Sequence, residues 1–105
     1  MSDIYLIYST FGNEQEALSV ARTLIEKRLV ACVNVHGGIT SIYRWENKLE
    51  ESQEVAFTAK TTSANLKKAM DEVKRLHSYD VPCIIACPIE AGFPPFIQWI
   101  RDEVA

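Results

Sequence analysis

The 105-residue chain is 48% hydrophobic and 10% aromatic, with eleven basic against fourteen acidic residues and a formal net charge of -3. That balance suits one globular domain over residues 1–105 with its own apolar core, and its sign argues against a nucleic-acid partner, as does the absence of any Lys/Arg run longer than Lys67-Lys68. No apolar run approaches the roughly 20 residues of a membrane-spanning helix, and Asp3 stands where a signal peptide carries positive charge, so a cytoplasmic protein with no membrane partner is expected.

In chain order, Ile4 to Phe11 is apolar on both alternating faces and reads as a central strand. Asn13 followed three residues later by Glu16 resembles a capping box, and Ala17, Val20, Ala21 and Leu24 continue at helical spacing to about Arg28. A second strand begins at Leu29 and runs through Val35; Gly37-Gly38 predicts a bulge or bend before it resumes as Ile39 to Glu46. Asn47-Lys48 is the predicted turn of a long hairpin spanning Ser41 to Thr61, which would set Arg44 opposite Glu51 and put the Tyr43 and Trp45 rings on one face. If the second strand is continuous, its roughly 16 residues run to about 50 Å, far beyond the radius of gyration of about 13 Å for a domain of this size, so the hairpin must overhang its own body.

Thr62 or Ser63 is the expected N-cap of a second helix carrying Leu66, Ala69, Met70, Val73 and Leu76 and ending near His77. A loop closed by Pro82 leads to a fourth strand, Cys83 to Ile89, and Pro94-Pro95 opens a last amphipathic helix with Phe96, Ile97, Trp99, Ile100 and Val104. The order β-α-β-β-α-β plus a terminal helix predicts an α+β, ferredoxin-like domain whose helices cover one sheet face. Because the first and fourth strands are apolar on both sides, the other face calls for a partner, and another copy of the chain is the simplest one.

Val30-Ala31-Cys32-Val33-Asn34, Ser41-Ile42-Tyr43-Arg44-Trp45, Glu54-Val55, Lys60-Thr61, His77-Ser78-Tyr79-Asp80-Val81-Pro82, and Gly92-Phe93-Pro94 with Trp99-Ile100 together resemble the successive signature blocks of the CutA divalent-cation tolerance family. The resemblance covers nearly the whole chain. It implies a ferredoxin-like protomer in a tight homotrimer, sheets inward and hairpins reaching to neighbours, similar in architecture to the PII nitrogen-signalling proteins. The chain departs from the family pattern in four places. Asn47 replaces the usual tip glycine, and Ser78, Asp80 and Cys83 alter the block around His77. Some copper-associated members carry cysteine at the position of Ser9 and histidine at that of Leu76, so only His77 of that set is present here.

Candidate sites follow from residue chemistry. Cys32, Cys83 and Cys87 are an odd set without CxxC spacing, which argues against a disulfide framework or zinc knuckle and favours small strand hydrophobes. Cys83 and Cys87 share a strand but are about 13 Å apart, so a metal site requires Cys32 of one protomer to approach Cys83 or Cys87 of the next. His77 is a further metal candidate, beside the alternative of a cation at a helix C-terminus. The resemblance places Glu54, Lys60 and Tyr79 near an intersubunit cleft suited to a small anionic ligand, or to an ion pair across the interface. Tyr43, Trp45 and Trp99 are expected to anchor the trimer interface.

No phosphate loop, GxSxG, HExxH or CxxC motif is present, and the two histidines have no sequence-visible nucleophile partner, so an enzyme is not expected. The expectation is a non-enzymatic homotrimer related to divalent metal ion tolerance. It needs no cofactor and binds copper or another divalent cation weakly through Cys32, His77 and Cys83. The alternatives are a PII-like small-molecule sensor and a trimeric interaction scaffold.

Overall fold

The computed structural model describes residues 3–105. Its elements are β1 (Ile4–Phe11), α1 (Glu14–Glu26), β2 (Cys32–Trp45), β3 (Lys48–Thr62), α2 (Leu66–Leu76), β4 (Ile84–Pro88) and α3 (Pro94–Glu103). The strands form one antiparallel sheet in the order β2-β3-β1-β4, the α+β, ferredoxin-like arrangement predicted from element order. Helices α1 and α2 cover one face, where Ala17, Val20, Ala21, Leu24, Ala69 and Val73 meet Ile7, Phe11, Phe57 and Ala59 of the sheet. The Phe11 and Phe57 rings lie 4.9 Å apart and tilted in the middle of this core. A smaller cluster of Ile4, Ile100 and Val104 docks α3 at the end of the sheet where β1 begins.

Local chemistry accounts for the helix ends. The Asn13 side chain accepts the Glu16 N–H at 2.9 Å, the N-cap bond predicted from the spacing. At the other end, Arg28 N–H donates to the Ile25 carbonyl and Leu29 N–H to the Leu24 carbonyl, a Schellman closure that requires Arg28 at φ 55. Glycine is usual there. Arginine is explained by its side chain, whose Nε and a terminal nitrogen donate to the Glu103 and Asp102 carbonyls at the end of α3. The predicted cap of α2 is corrected: β3 runs on to Thr62, and Asn65 precedes the helix without a side-chain cap bond. Its amide instead donates to the Ala105 carbonyl.

The hairpin is corrected at its tip. Trp45 pairs with Lys48, so the two turn residues are Glu46 and Asn47, both left-handed at φ 50 and 66, as a type I′ turn demands. Arg44 therefore faces Leu49, and Glu51 faces Ile42. The predicted Arg44–Glu51 partnership does not form, because moving the turn by one residue displaces every cross-strand partner by two. The bulge falls where the glycines predict it: His36 faces Ala56 and Ile39 faces Glu54, leaving Gly37 and Gly38, the latter at φ 72, opposite one residue. Since β1 ends against β3 at Val55, residues 39–54 project as an unaccompanied ribbon, and the molecule measures 44 × 26 × 22 Å.

A cross-helix network yields a pH prediction. The Glu72 carboxylate, 11% exposed, binds Lys27 at 2.6 Å and Arg75 at 2.7 Å. Hydrogen bonds from Arg75 and then Lys27 hold its pKa down to about 2. A depressed carboxylate stabilises the fold above its unfolded value of roughly 4.3, and that contribution is lost as pH falls toward 2. Thermal midpoints should therefore drop between about pH 4.5 and 2 more steeply in the unmodified protein than in Glu72→Gln; parallel curves would refute the role.

Candidate functional site

Opposite α1 and α2 the sheet is uncovered in its middle, between Ile4, buried against α3, and the buried Thr10, Ala56 and Glu54, and its register arranges the side chains in rows. Cys32 faces Lys60, Lys60 faces Leu6 and Leu6 faces Cys87. One step along, Asn34, Thr58, Tyr8 and Ile85 form the next row. Tyr8 is 37% and Ile85 59% exposed. The β1–β4 half of this face is thus apolar. The β2–β3 half is polar: Lys60 Nζ donates to Asn34 Oδ1, and His36 Nε2 lies 3.0 Å from Thr58 Oγ1.

Through the even-numbered residues of β3 the same face continues up the ribbon, where Tyr43 pairs with Glu50 and Trp45 with Lys48. Tyr43 and Trp45 are 43% and 51% exposed. Trp99 is also exposed, on α3, where it stacks on Phe96 at 5.5 Å. The three predicted interface aromatics are therefore all accessible on the single chain. Exposed aromatics of this size carry much of the energy of an interface when covered.

A second constellation lies at the base of the ribbon. Glu54 is buried and accepts the Tyr79 O–H at 2.7 Å. Burial, then the Glu54 carboxylate, pushes Tyr79 well above the usual phenol range, so Tyr79 stays protonated and keeps donating. Burial, then the same carboxylate, also raises the Cys83 thiol, which disfavours the thiolate that binds metals. Lys60, predicted to join Glu54 and Tyr79, lies six residues along β3 from Glu54, about 20 Å away. Within one chain the structure brings Glu54 and Tyr79 together and keeps Lys60 apart.

His77 holds the loop that carries Tyr79. Its side chain is fully buried, and its ring stacks on Phe11 at 4.5 Å. Nε2 donates to the Thr10 carbonyl at 2.7 Å, while Nδ1 accepts the Tyr79 N–H at 3.1 Å. Both ring nitrogens are engaged, so the imidazole works as a brace and offers a metal no lone pair. Glu16 latches the neighbouring residue by accepting the Ser78 N–H and O–H at 2.8 and 2.9 Å. Ser9 lies fully buried on the helix-covered side with no hydrogen-bond partner for its Oγ among the described residues.

The three metal candidates do not converge in one chain. Cys32 is on edge strand β2, Cys83 stands just before the opposite edge strand β4, and His77 is sealed behind Phe11. No group of three or more His, Cys, Asp or Glu side chains able to hold a metal ion occurs among the described residues. In sequence Cys87 stands beside Cys83 as an alternative partner for Cys32 of a neighbouring copy. Register makes it the more informative cysteine, because it ends the row that Cys32 begins.

Comparison with known proteins extends this picture. Residues 5–103 match the family model described as CutA1 divalent ion tolerance protein. The chain is 42% identical over 103 residues to a divalent-cation tolerance protein CutA of Thermus thermophilus, covering 98% of each. It is 45% identical over 95 residues to human protein CutA, covering 90% of this chain and 53% of the human one, so it spans about half that relative's length. Among solved structures, CutA from Xylella fastidiosa superposes with a TM-score of 0.96 at 36% identity, covering 99% of this chain and 100% of that one.

Proposed function

The chain belongs to the CutA1 divalent ion tolerance family, and from that premise we propose that it acts in divalent-cation tolerance as a non-enzymatic homotrimer. Its protomers join through the open sheet face and hold soft metal ions where their edges meet. The supporting observation is the row Cys32, Lys60, Leu6, Cys87, which spans the sheet from edge to edge with a cysteine at each end. When the edges of neighbouring sheets adjoin, Cys32 of one copy approaches Cys87 of the next. Thiolates select Cu(I) and zinc over hard cations. Cys83, beside the Glu54 carboxylate, is a poorer thiolate donor.

Competition with a chromophoric copper(I) chelator under reducing conditions tests the metal reading. The unmodified protein is expected to withdraw copper, and Cys32→Ser and Cys87→Ser each to lose most of that capacity, while Cys83→Ser retains it. Absence of uptake, or equal uptake by all four proteins, would defeat it.

A further inference from the structure

Cys32, Cys83 and Cys87 are all free thiols, and the fold holds every pair of them too far apart to bridge within one chain. Cys32 and Cys87 end the same row of the open face but lie on opposite edges of the sheet, three strand spacings or about 14 Å apart. Cys83 stands just before β4 and Cys87 near its end, about 13 Å along the strand direction. Cys32 and Cys83 differ in both directions and are farther apart still. A disulfide requires Cα atoms within about 7 Å of each other. Any disulfide this chain forms therefore joins two copies. Strand direction decides which sulfurs a neighbour brings near. β2 is antiparallel to β3, β3 to β1 and β1 to β4, so the edge strands β2 and β4 run opposite ways. Copies related by rotation about an axis along the strands thus set β2 of one beside β4 of the next in antiparallel sense. Residues directly opposite in such a ladder have Cα atoms about 4.5 or 5.5 Å apart, and both distances suit a disulfide. Cys32 is half-buried and Cys87 exposed on the single chain, so neither thiol is sealed in the protomer core.

We propose that Cys32 of one protomer and Cys87 of the next reduce cupric ion and close as an interchain disulfide, an activity that rests on the edge-to-edge assembly and thiol site proposed above. Each thiol gives up its proton to solvent and one electron to a Cu(II) ion. The two sulfurs then join, and two Cu(I) ions are the reduced product. The electrons come from the thiols themselves, so each pair reacts once and stays closed until an external thiol reductant reopens it. The linkage is heterologous, each copy giving Cys32 to one neighbour and Cys87 to the other, so complete reaction ties the copies into a covalently closed ring. A bond between like cysteines of two copies would stop at two chains.

Anaerobic addition of excess Cu(II) to the reduced full chain, with no other oxidant present, tests this activity. A chromophoric cuprous chelator should detect one Cu(I) for each thiol lost. Once the metal is stripped and remaining thiols are capped, denaturing electrophoresis without reductant should show two-chain and three-chain species that dithiothreitol abolishes. Mass spectrometry of the three-chain species should identify the Cys32–Cys87 linkage. Cys83→Ser should behave like the unmodified protein, whereas Cys32→Ser and Cys87→Ser should each lose the linked species; circular dichroism and sedimentation check that the variants fold and assemble. Linked species that stop at two chains, or that survive in either Cys32→Ser or Cys87→Ser, would overturn the pairing. Retention of all thiols in the unmodified protein would overturn the redox step. If that protein nevertheless withdraws copper(I) from the chelator, the metal-binding reading stands without the redox step; if it does neither, both fail.

Discussion

Ile85→Asp is expected to turn the assembly into folded monomers. Ile85 is 59% exposed on β4 beside Tyr8, so in the isolated chain an aspartate there stays hydrated and costs little. Pressed against another copy, the carboxylate loses its water and meets the apolar half of the open face. An uncompensated buried charge costs about 3–5 kcal/mol, which shifts a dissociation constant by roughly a hundredfold to several thousandfold. The far-ultraviolet circular dichroism should remain that of the unmodified chain while the sedimenting mass falls to that of a single chain. Trp45→Ala, at the overhanging ribbon, should weaken assembly by a smaller amount, about 2 kcal/mol. If Ile85→Asp remains assembled at the concentrations where the unmodified protein does, the open face is not the contact surface.

The largest expected effect on the protomer itself comes from His77→Ala. That change removes a ring packed on Phe11 and leaves two buried groups, the Thr10 carbonyl and the Tyr79 N–H, without partners. The cavity and the unmet hydrogen bonds together should cost about 3–4 kcal/mol. The loop carrying Tyr79 should loosen first, read as faster amide exchange at Ser78 and Tyr79 than in β1 or β3. His77→Gln, whose amide can donate toward Thr10, should recover part of the loss. A change below about 1 kcal/mol, with exchange unaltered, would show that His77 does not brace this loop.

Most of the fold was legible because its signals are local and periodic. The spacing of Ala17, Val20, Ala21 and Leu24 reports α1, and Gly37-Gly38 reports the bulge. The hairpin tip was misplaced by one residue because Asn47-Lys48 looks a better turn than Glu46-Asn47. Nothing local to Glu46 announces a left-handed residue; pairing along the whole length of β2 and β3 imposes it. The α2 cap was missed for a related reason, since Asn65 spends its side chain on Ala105, forty residues away. Long-range partners of this kind are invisible to periodicity.

The candidate site was legible as residue types and less so as geometry. Glu54 and Tyr79 do meet, but Lys60 is separated from them by the rise of six strand residues. His77 looks like a ligand in sequence, and burial behind Phe11 makes it a structural brace instead. The cysteine row became apparent only once β1 was found paired with both β3 and β4, because register across three ladders places Cys32 and Cys87 in line. No spacing within a single segment encodes that alignment.

The central claim is that the open face is covered by copies of the same chain. Sedimentation equilibrium of the unmodified protein at micromolar concentration tests it most directly. The expected result is a single species of about three times the 11.9 kDa chain mass. A species of 11.9 kDa, unchanged as concentration rises, would contradict it.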